Sequence, residues 1–361
     1  MVAGSAPKWV RLAARLIPWL PAGRYRAIAR LGRNPPPTFR MRMPSSMGGQ
    51  WFLCDLRDSI AREVCFTGLY EPQETAVVRA VLKPGMTFVD VGANWGYFTL
   101  LAAHLVGRAG RVLSLEPDPR LFQTLSSNLA MNRLSQVRAL QLAAADAPGL
   151  LSLAGFDERQ GNFGLSRIVE SKNPKSEARN PKQIQSTKSQ ISNQEVPDIG
   201  ASDLGFVSDF GFRISDLAMG TGAGTDGCCI FSVAARPLDH VLAEAGIDGI
   251  DLLKMDIEGA EGMALRGMQE TLRRRRVQRL LLELHPSQLQ EHGQSAAEII
   301  GQLQEWGYVG WRVDHSPKRT RRAAYRRTAS IGDILRPLEP HRVLDRWPHL
   351  LWVLPETERA W

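Results

Sequence analysis

The chain has 361 residues, a hydrophobic fraction of 43%, four cysteines and a formal net charge of +8. That composition suits a globular protein with a sizeable core and excludes a collagen-like or low-complexity chain. Cys54, Cys65, Cys228 and Cys229 include no C-x-x-C pair, so neither a zinc site nor a disulfide framework is expected, and a reducing cytoplasm fits best.

The first 54 residues contain no Asp or Glu but carry Lys8, Arg11, Arg15, Arg24, Arg26, Arg30, Arg33, Arg40 and Arg42. Their nine positive charges, set against the total of +8, leave the remainder of the chain at −1. The basic character therefore belongs to an arm, residues 1–49, and gives no reason to expect a nucleic-acid partner for the body of the protein. Two readings of the amphipathic start "KWVRLAARLIPWLPAGRYRAIARL" stand side by side. It lies on an anionic membrane surface as a peripheral contact, or it is a solvated helix packed on the domain by Trp9, Leu12, Leu16 and Trp19. Arg15 and Pro18 interrupt the apolar run, which does not read as a signal peptide. No stretch reaches the roughly 20 apolar residues of a spanning helix.

From about Met86 onward, short β-branched runs alternate with helical patterns. "MTFVDV", "RVLSLE", "VRALQL", "DLLKMDI" and "VQRLLLEL" read as strands apolar on both faces. "GYFTLLAAHLV", "DPRLFQTLSSNLAMN" and "GAEGMALRGMQETLR" carry apolar residues at helical spacing. Such alternation predicts an α/β fold: a mostly parallel sheet with helices on both faces. "HLLWVLPE" near the end is expected as an antiparallel edge strand. Residues 171–226 lose the alternation, repeat Asn-Pro-Lys and read as a disordered insertion. It divides a cofactor-binding half at 50–170 from an acceptor-side half at 227–361. The "RRRR" of 273–276 reads as a solvated helix end, and the basic run at 317–327 as an exposed hairpin.

Where the first parallel strand passes into its helix, an open sheet binds ligands. There the chain reads "DVGANWG", with Asp90, Gly92, Asn94 and Gly96 in one turn. Gly92 permits a positive φ or a close approach to the backbone. The G-x-x-x-G spacing departs from the dinucleotide G-x-G-x-x-G, which weighs against a nicotinamide dehydrogenase. Glu116 ends the next strand in "RVLSLEP", where a carboxylate accepts hydrogen bonds from both hydroxyls of a ribose. A nucleoside ligand is therefore expected.

"GLYEPQE", "VDVGANWGYFTLLAA", "LEPDP" and "DLLKMDIEGAEGMALRGM", in that order, resemble the FkbM family of S-adenosylmethionine-dependent methyltransferases. The resemblance covers roughly residues 50–355 without the insertion, and its most specific part is K-x-D-x-E-G-x-E downstream of D-V-G-A-N-x-G. It implies a Rossmann-like class I methyltransferase fold with a seven-stranded sheet. It also implies methyl transfer from S-adenosylmethionine, usually to a hydroxyl of a sugar, glycan or secondary metabolite. By the same resemblance Asp90, Gly92, Asn94 and Gly96 line the methionine end of the cofactor. Glu116 holds the ribose, Pro117 and Asp118 flank the adenine, and Glu71 lies near the cofactor; Asp146 either contacts the adenine amine or is a solvated turn carboxylate.

On the acceptor side, "LLKMDIEGAE" sets Lys254, Asp256 and Glu258 at i, i+2 and i+4, a costly arrangement on a buried strand unless they pair or face a cleft. Glu283 and His285 follow one strand over. His285 or Asp256 has the chemistry of a general base, and Lys254 that of a neutralising partner. A Mg²⁺ on Asp256 and Glu258 would orient a diol, and the sequence leaves that open against a metal-free site. Two further rivals remain: a nucleic-acid methyltransferase, although "DIEG" replaces the expected N/D-P-P-Y/F, and a methyltransferase-like domain that binds without turnover.

Overall fold

The apolar runs become strands because both of their faces find a core. The computed structural model describes residues 4–19, 24–31, 35–155, 166–169, 222–223, 229–316, 331–339 and 347–360. Its main sheet is built from β1 (Thr87–Val91), β2 (Arg111–Leu115), β3 (Val137–Leu140), β4 (Leu252–Met255), β5 (Arg279–Glu283), β6 (Val309–Val313), β7 (Leu335–Pro337) and β8 (His349–Val353). Alternate residues point to opposite faces, so Leu281 and Leu351 enter one core while Leu280, Leu282, Leu350 and Trp352 enter the other. Each fully buried aliphatic side chain contributes about 1.5–3 kcal/mol.

The spatial order is β7-β6-β8-β5-β4-β1-β2-β3. The five strands from β3 to β5 are parallel, and β8 runs antiparallel to both β5 and β6. The seven strands expected for the fold are present, with the three-residue β7 added beyond β6. One expectation is corrected. "HLLWV" is antiparallel but lies between β5 and β6 rather than at an edge, so its side chains are needed on both faces. Its residues Leu350 to Val353 are all buried accordingly.

Helices α1 (Lys8–Leu16), α2 (Ser59–Thr67), α3 (Pro72–Val81), α4 (Tyr97–Val106), α5 (Pro119–Asn132), α6 (Glu261–Arg266) and α7 (Pro286–Glu291) matter most to the site. α5 starts where Asp118 caps it, accepting from the Arg120 amide, with Pro119 pre-set for the first turn. α1 packs on α2, but not by the residues its sequence suggested. Val10 and Ile17 are buried with Ala13 and Ala14 beside them, whereas Trp9, Leu12 and Leu16 are 42%, 59% and 58% exposed. The side chain of Trp19 lies outside the described residues.

A second, antiparallel sheet joins Gly149–Ala154, Arg167–Val169 and Cys229–Arg236. Of the expected insertion at 171–226 only Gly222–Ala223 are described, paired with Cys229 and Ile230; the remainder lies outside the described residues. The basic run at 317–327 lies outside them too. Arg274, Arg275 and Arg276 are half-exposed and reach Glu270, Glu356 and Asp248, as a solvated helix end would.

Candidate active site

The strand order reverses at β1 and β4, whose carboxyl ends lie side by side with Lys254 opposite Asp90 and Met255 opposite Val91. A cleft with about 1070 Å³ of empty space, partly open to solvent, forms there. One wall is Gly92, Ala93, Asn94, Glu116 and Pro117; the other is Lys254, Asp256, Ile257 and Glu258.

The first wall is held by backbone amides. Gly92 has φ +84°, and a Cβ there would overlap the carbonyl oxygen of Asp256. The glycine is therefore required by the backbone just past β4, which approaches as closely as a ligand was expected to. Asn94 sits at φ +52° and its N–H donates to Glu116 Oε2 at 2.7 Å. The Asp118 N–H donates to Glu116 Oε1 at 2.9 Å. Each oxygen of Glu116 thus holds one amide and retains a lone pair for another donor. Burial pushes the Glu116 carboxyl up to about 8, against the pull of those two amides.

Three residues expected in the first wall stand behind it. Asp90 is buried, accepts from Thr99 Oγ1 at 2.6 Å and does not line the cleft. Gly96 opens α4 at φ +86°, where a Cβ would press on Leu125. Asp118 is turned into its own helix cap, where Arg120 Nη2 and Ser166 Oγ donate to it at 2.9 and 2.8 Å. Pro117 and Ser166 line the cleft in its place. Asp146 is exposed and paired with Arg266, and Ala143 and Ala144 line the cleft nearby.

The second wall is crowded with ionisable groups. β4 ends at Met255, so Lys254 is buried in the strand while Asp256 and Glu258 lie in the turn beyond it. Lys254 Nζ is 3.2 Å from Asp256 Oδ2 and 4.8 Å from the centre of the Phe98 ring. Burial would lower the ammonium, but Asp256, Glu71, Asp90 and Glu283 overcome it and raise it. Burial likewise works to raise Asp256, and Lys254 and His285 outweigh it, leaving this carboxyl low.

Glu258 occupies the left-handed region at φ +51°, a costly place for a side chain to be held and a frequent mark of a working residue. Burial pushes it up to about 7. His285 caps α7, 3% exposed, with Nδ1 2.8 Å from Glu261 Oε1 and Nε2 3.4 Å from Glu258 Oε2. Burial lowers the imidazole, but Glu261 and then Asp256 and Glu258 bring it up to about 8. Glu283 lies 3.6 Å from His285 Nε2 and is pushed up to about 11 by burial and by Asp256 and Glu71.

Glu71, expected near the cofactor, starts α3 at φ +42° and groups with Asp256 and Glu283, their carboxylate oxygens within 4.8 Å of one another. Burial raises its carboxyl to about 6. It stands behind the second wall, beside Asp256, and does not itself line the cleft.

Sequence reasoning missed Glu261, whose carboxylate orients His285, although it is the last residue of the K-x-D-x-E-G-x-E run. It also missed Glu74, His315 and His349. Glu74 follows Glu71 by three residues, one turn along the same helix face, which was the available signal.

The family model described as the methyltransferase FkbM domain matches residues 90–309. Methyltransferase sdnD of Sordaria araneosa is 31% identical over 191 residues, covering 50% of this chain and 60% of that protein. The 31-O-demethyl-FK506 methyltransferase FkbM of Streptomyces tacrolimicus is 28% identical over 189 residues, covering 52% of this chain and 62% of that one. The chain thus spans less than two thirds of the length of either relative. A crystal structure of methyltransferase FkbM from Methylobacillus flagellatus KT aligns over 96% of this chain and 60% of its own at 14% identity, with a TM-score of 0.36, too low to bear on function.

Proposed function

This chain belongs to the FkbM methyltransferase family, and on that premise we propose that it transfers a methyl group from S-adenosylmethionine to a hydroxyl oxygen of a small-molecule or glycan acceptor. The observation that carries this reading is that Glu116 and Glu258 face one cleft from opposite walls. Each oxygen of Glu116 already accepts one backbone amide at the cleft, and two ribose hydroxyls donating to the same oxygens would favour the charged form that burial disfavours. When bound, S-adenosylmethionine supplies an electrophilic methyl on a sulfonium.

Glu258 takes the acceptor's hydroxyl proton, because it lines the cleft and its carboxyl, near 7, is matched to neutral pH. Glu258 would accept the proton that the hydroxyl loses, as the methyl passes to the acceptor oxygen and its bonding electrons stay on the sulfur of the bound cofactor. Asp256 stays ionised beside Lys254 and orients the acceptor hydroxyl, since alignment is the main demand of an in-line displacement. His285, held by Glu261, steadies the Glu258 carboxylate rather than acting as the base, being itself protonated up to about pH 8. The reading routes no step through Mg²⁺; Asp256 pairs with Lys254 through Oδ2.

A peripheral membrane contact forms part of the proposal. α1 turns Trp9, Leu12 and Leu16 to solvent as one stripe, with exposed Lys8, Arg11 and Arg15 beside it. An apolar stripe flanked by cations suits the surface of an anionic bilayer. No helix among the described residues is long and apolar enough to cross a membrane. A labelled-methyl screen over hydroxylated sugars, glycans and metabolites tests the activity. Label found only on amine or nucleic-acid acceptors would overturn the hydroxyl assignment.

A further inference from the structure

A second constellation lies beside the acceptor wall, on side chains that methyl transfer does not use. Glu74 of α3 is 1% exposed. Its Oε1 is approached by two imidazoles from distant parts of the chain: His315 Nε2 at 2.6 Å, just past β6, and His349 Nδ1 at 3.1 Å, at the start of β8. The two rings lie 4.2 Å apart between centres. All three donor atoms fall within 4.8 Å of one another.

Hydrogen bonding alone accounts for only half of the carboxylate. Oε1 receives both imidazoles, while Oε2 is buried without a hydrogen-bond partner. A buried unsatisfied acceptor costs about 1–3 kcal/mol, and more when charged. A cation between the three side chains would supply the charge that this carboxylate otherwise lacks. Ligands about 2.1 Å from a first-row ion sit about 3–3.4 Å from each other, so His349 is already at that spacing from Glu74 while His315, at 2.6 Å, would draw back slightly to admit the ion.

We propose that Glu74, His315 and His349 bind one borderline divalent transition-metal ion, of the Zn²⁺ type. Two imidazoles and one carboxylate form a donor set that suits Zn²⁺, Co²⁺, Ni²⁺ or Fe²⁺ and disfavours Mg²⁺ and Ca²⁺. His349 carries the arrangement further, because its Nε2 lies 3.4 Å from Glu283 Oε1. A carboxyl group on the far nitrogen fixes the orientation of a metal-bound histidine ring. His315, with a side chain 37% exposed, gives the ion a path from solvent. The ion would tie α3 to the paired strands β6 and β8.

The test uses the full chain, stripped with a chelator and titrated with Zn²⁺ by calorimetry and with Co²⁺ by visible absorption. One equivalent per chain is expected, with a rise in Tm on Zn²⁺ addition. His315→Ala and Glu74→Gln should each weaken binding by at least about tenfold. His315 is exposed, so its variant should fold; His315→Asp, which restores a ligand, should recover part of the affinity. Asp256→Asn and the Cys228→Ser, Cys229→Ser double variant should bind as the wild type does. No stoichiometric binding, or equal affinity in His315→Ala, would overturn the proposal. So would loss of binding in the Asp256 or cysteine variants, which would place the ion elsewhere. Titration with S-adenosylmethionine is a separate readout, so failure here leaves the methyltransferase reading standing.

Discussion

The two walls of the cleft are built on different principles. The wall around Glu116 is assembled from residues 90–118, and backbone amides hold its side chain. The wall around Glu258 draws Glu71 from before β1, Asp256 and Glu258 from after β4, and Glu283 and His285 from the end of β5 and just beyond it. It is held by charges whose ionisation each sets the others'. A wall fixed by amides should recognise a ligand and tolerate changes opposite it. A wall fixed by coupled charges should control a proton and respond to pH.

The largest expected effect breaks the second wall. Glu258→Gln keeps the shape and removes the base, so transfer should fall about 10²–10⁴-fold while affinity for S-adenosylmethionine stays within a few-fold. Steady-state rates on the acceptor found by the methyl screen measure the first, and calorimetry the second. A fully active variant would move the base to another residue.

The next effect breaks the first wall. Glu116→Gln turns an amide N–H toward the N–H of Asn94 or Asp118, and it should weaken S-adenosylmethionine by about 10–100-fold at a cost of about 1–3 kcal/mol. Once saturated, the variant should turn over nearly normally, which a KM-against-kcat comparison reads directly.

A third expectation follows from the burial that brings Glu258 up to about 7. Below that pH the carboxyl is protonated and cannot accept the hydroxyl proton. The transfer rate should therefore fall about tenfold per pH unit below 7 and level off above it. Glu258→Gln should flatten the profile, and a wild-type profile flat from pH 5 to 8 would count against this base.

The smallest effect lies away from the cleft. Co-sedimentation with vesicles containing anionic lipid should be several-fold stronger than with neutral vesicles. Exchanging Trp9, Leu12 and Leu16 for Ser should abolish it without changing Tm, since these side chains are exposed. Equal sedimentation with both lipid types would leave the basic face of α1 without that role.

These differences also explain what the sequence disclosed. The parallel strands and the first wall were legible because their determinants are local: apolar runs, a glycine turn, a glutamate at a strand end. The place of β8 was not, because pairing partners separated by most of the chain decide whether an antiparallel strand is inside a sheet or at its edge. α1 misled for a related reason. Its apolar residues form two stripes, and only contact with α2 selects Val10 and Ile17 over Trp9, Leu12 and Leu16. Asp118 was placed at the ligand by position along the chain, and Asp146 there or in a solvated turn, yet a helix cap and Arg266 claim their carboxylates. Glu74, His315 and His349 come together only in the folded state, and beyond the three-residue spacing of Glu71 and Glu74 nothing in the sequence announces them.

Calorimetric titration of S-adenosylmethionine into the wild type, Glu116→Gln and Glu258→Gln tests the central claim, that one cleft pairs a nucleoside-binding wall with a proton-accepting one. The account predicts one equivalent bound by the wild type, a loss of about 10–100-fold in Glu116→Gln, and little change in Glu258→Gln. Wild-type affinity in Glu116→Gln, or a collapse of binding in Glu258→Gln, would contradict it.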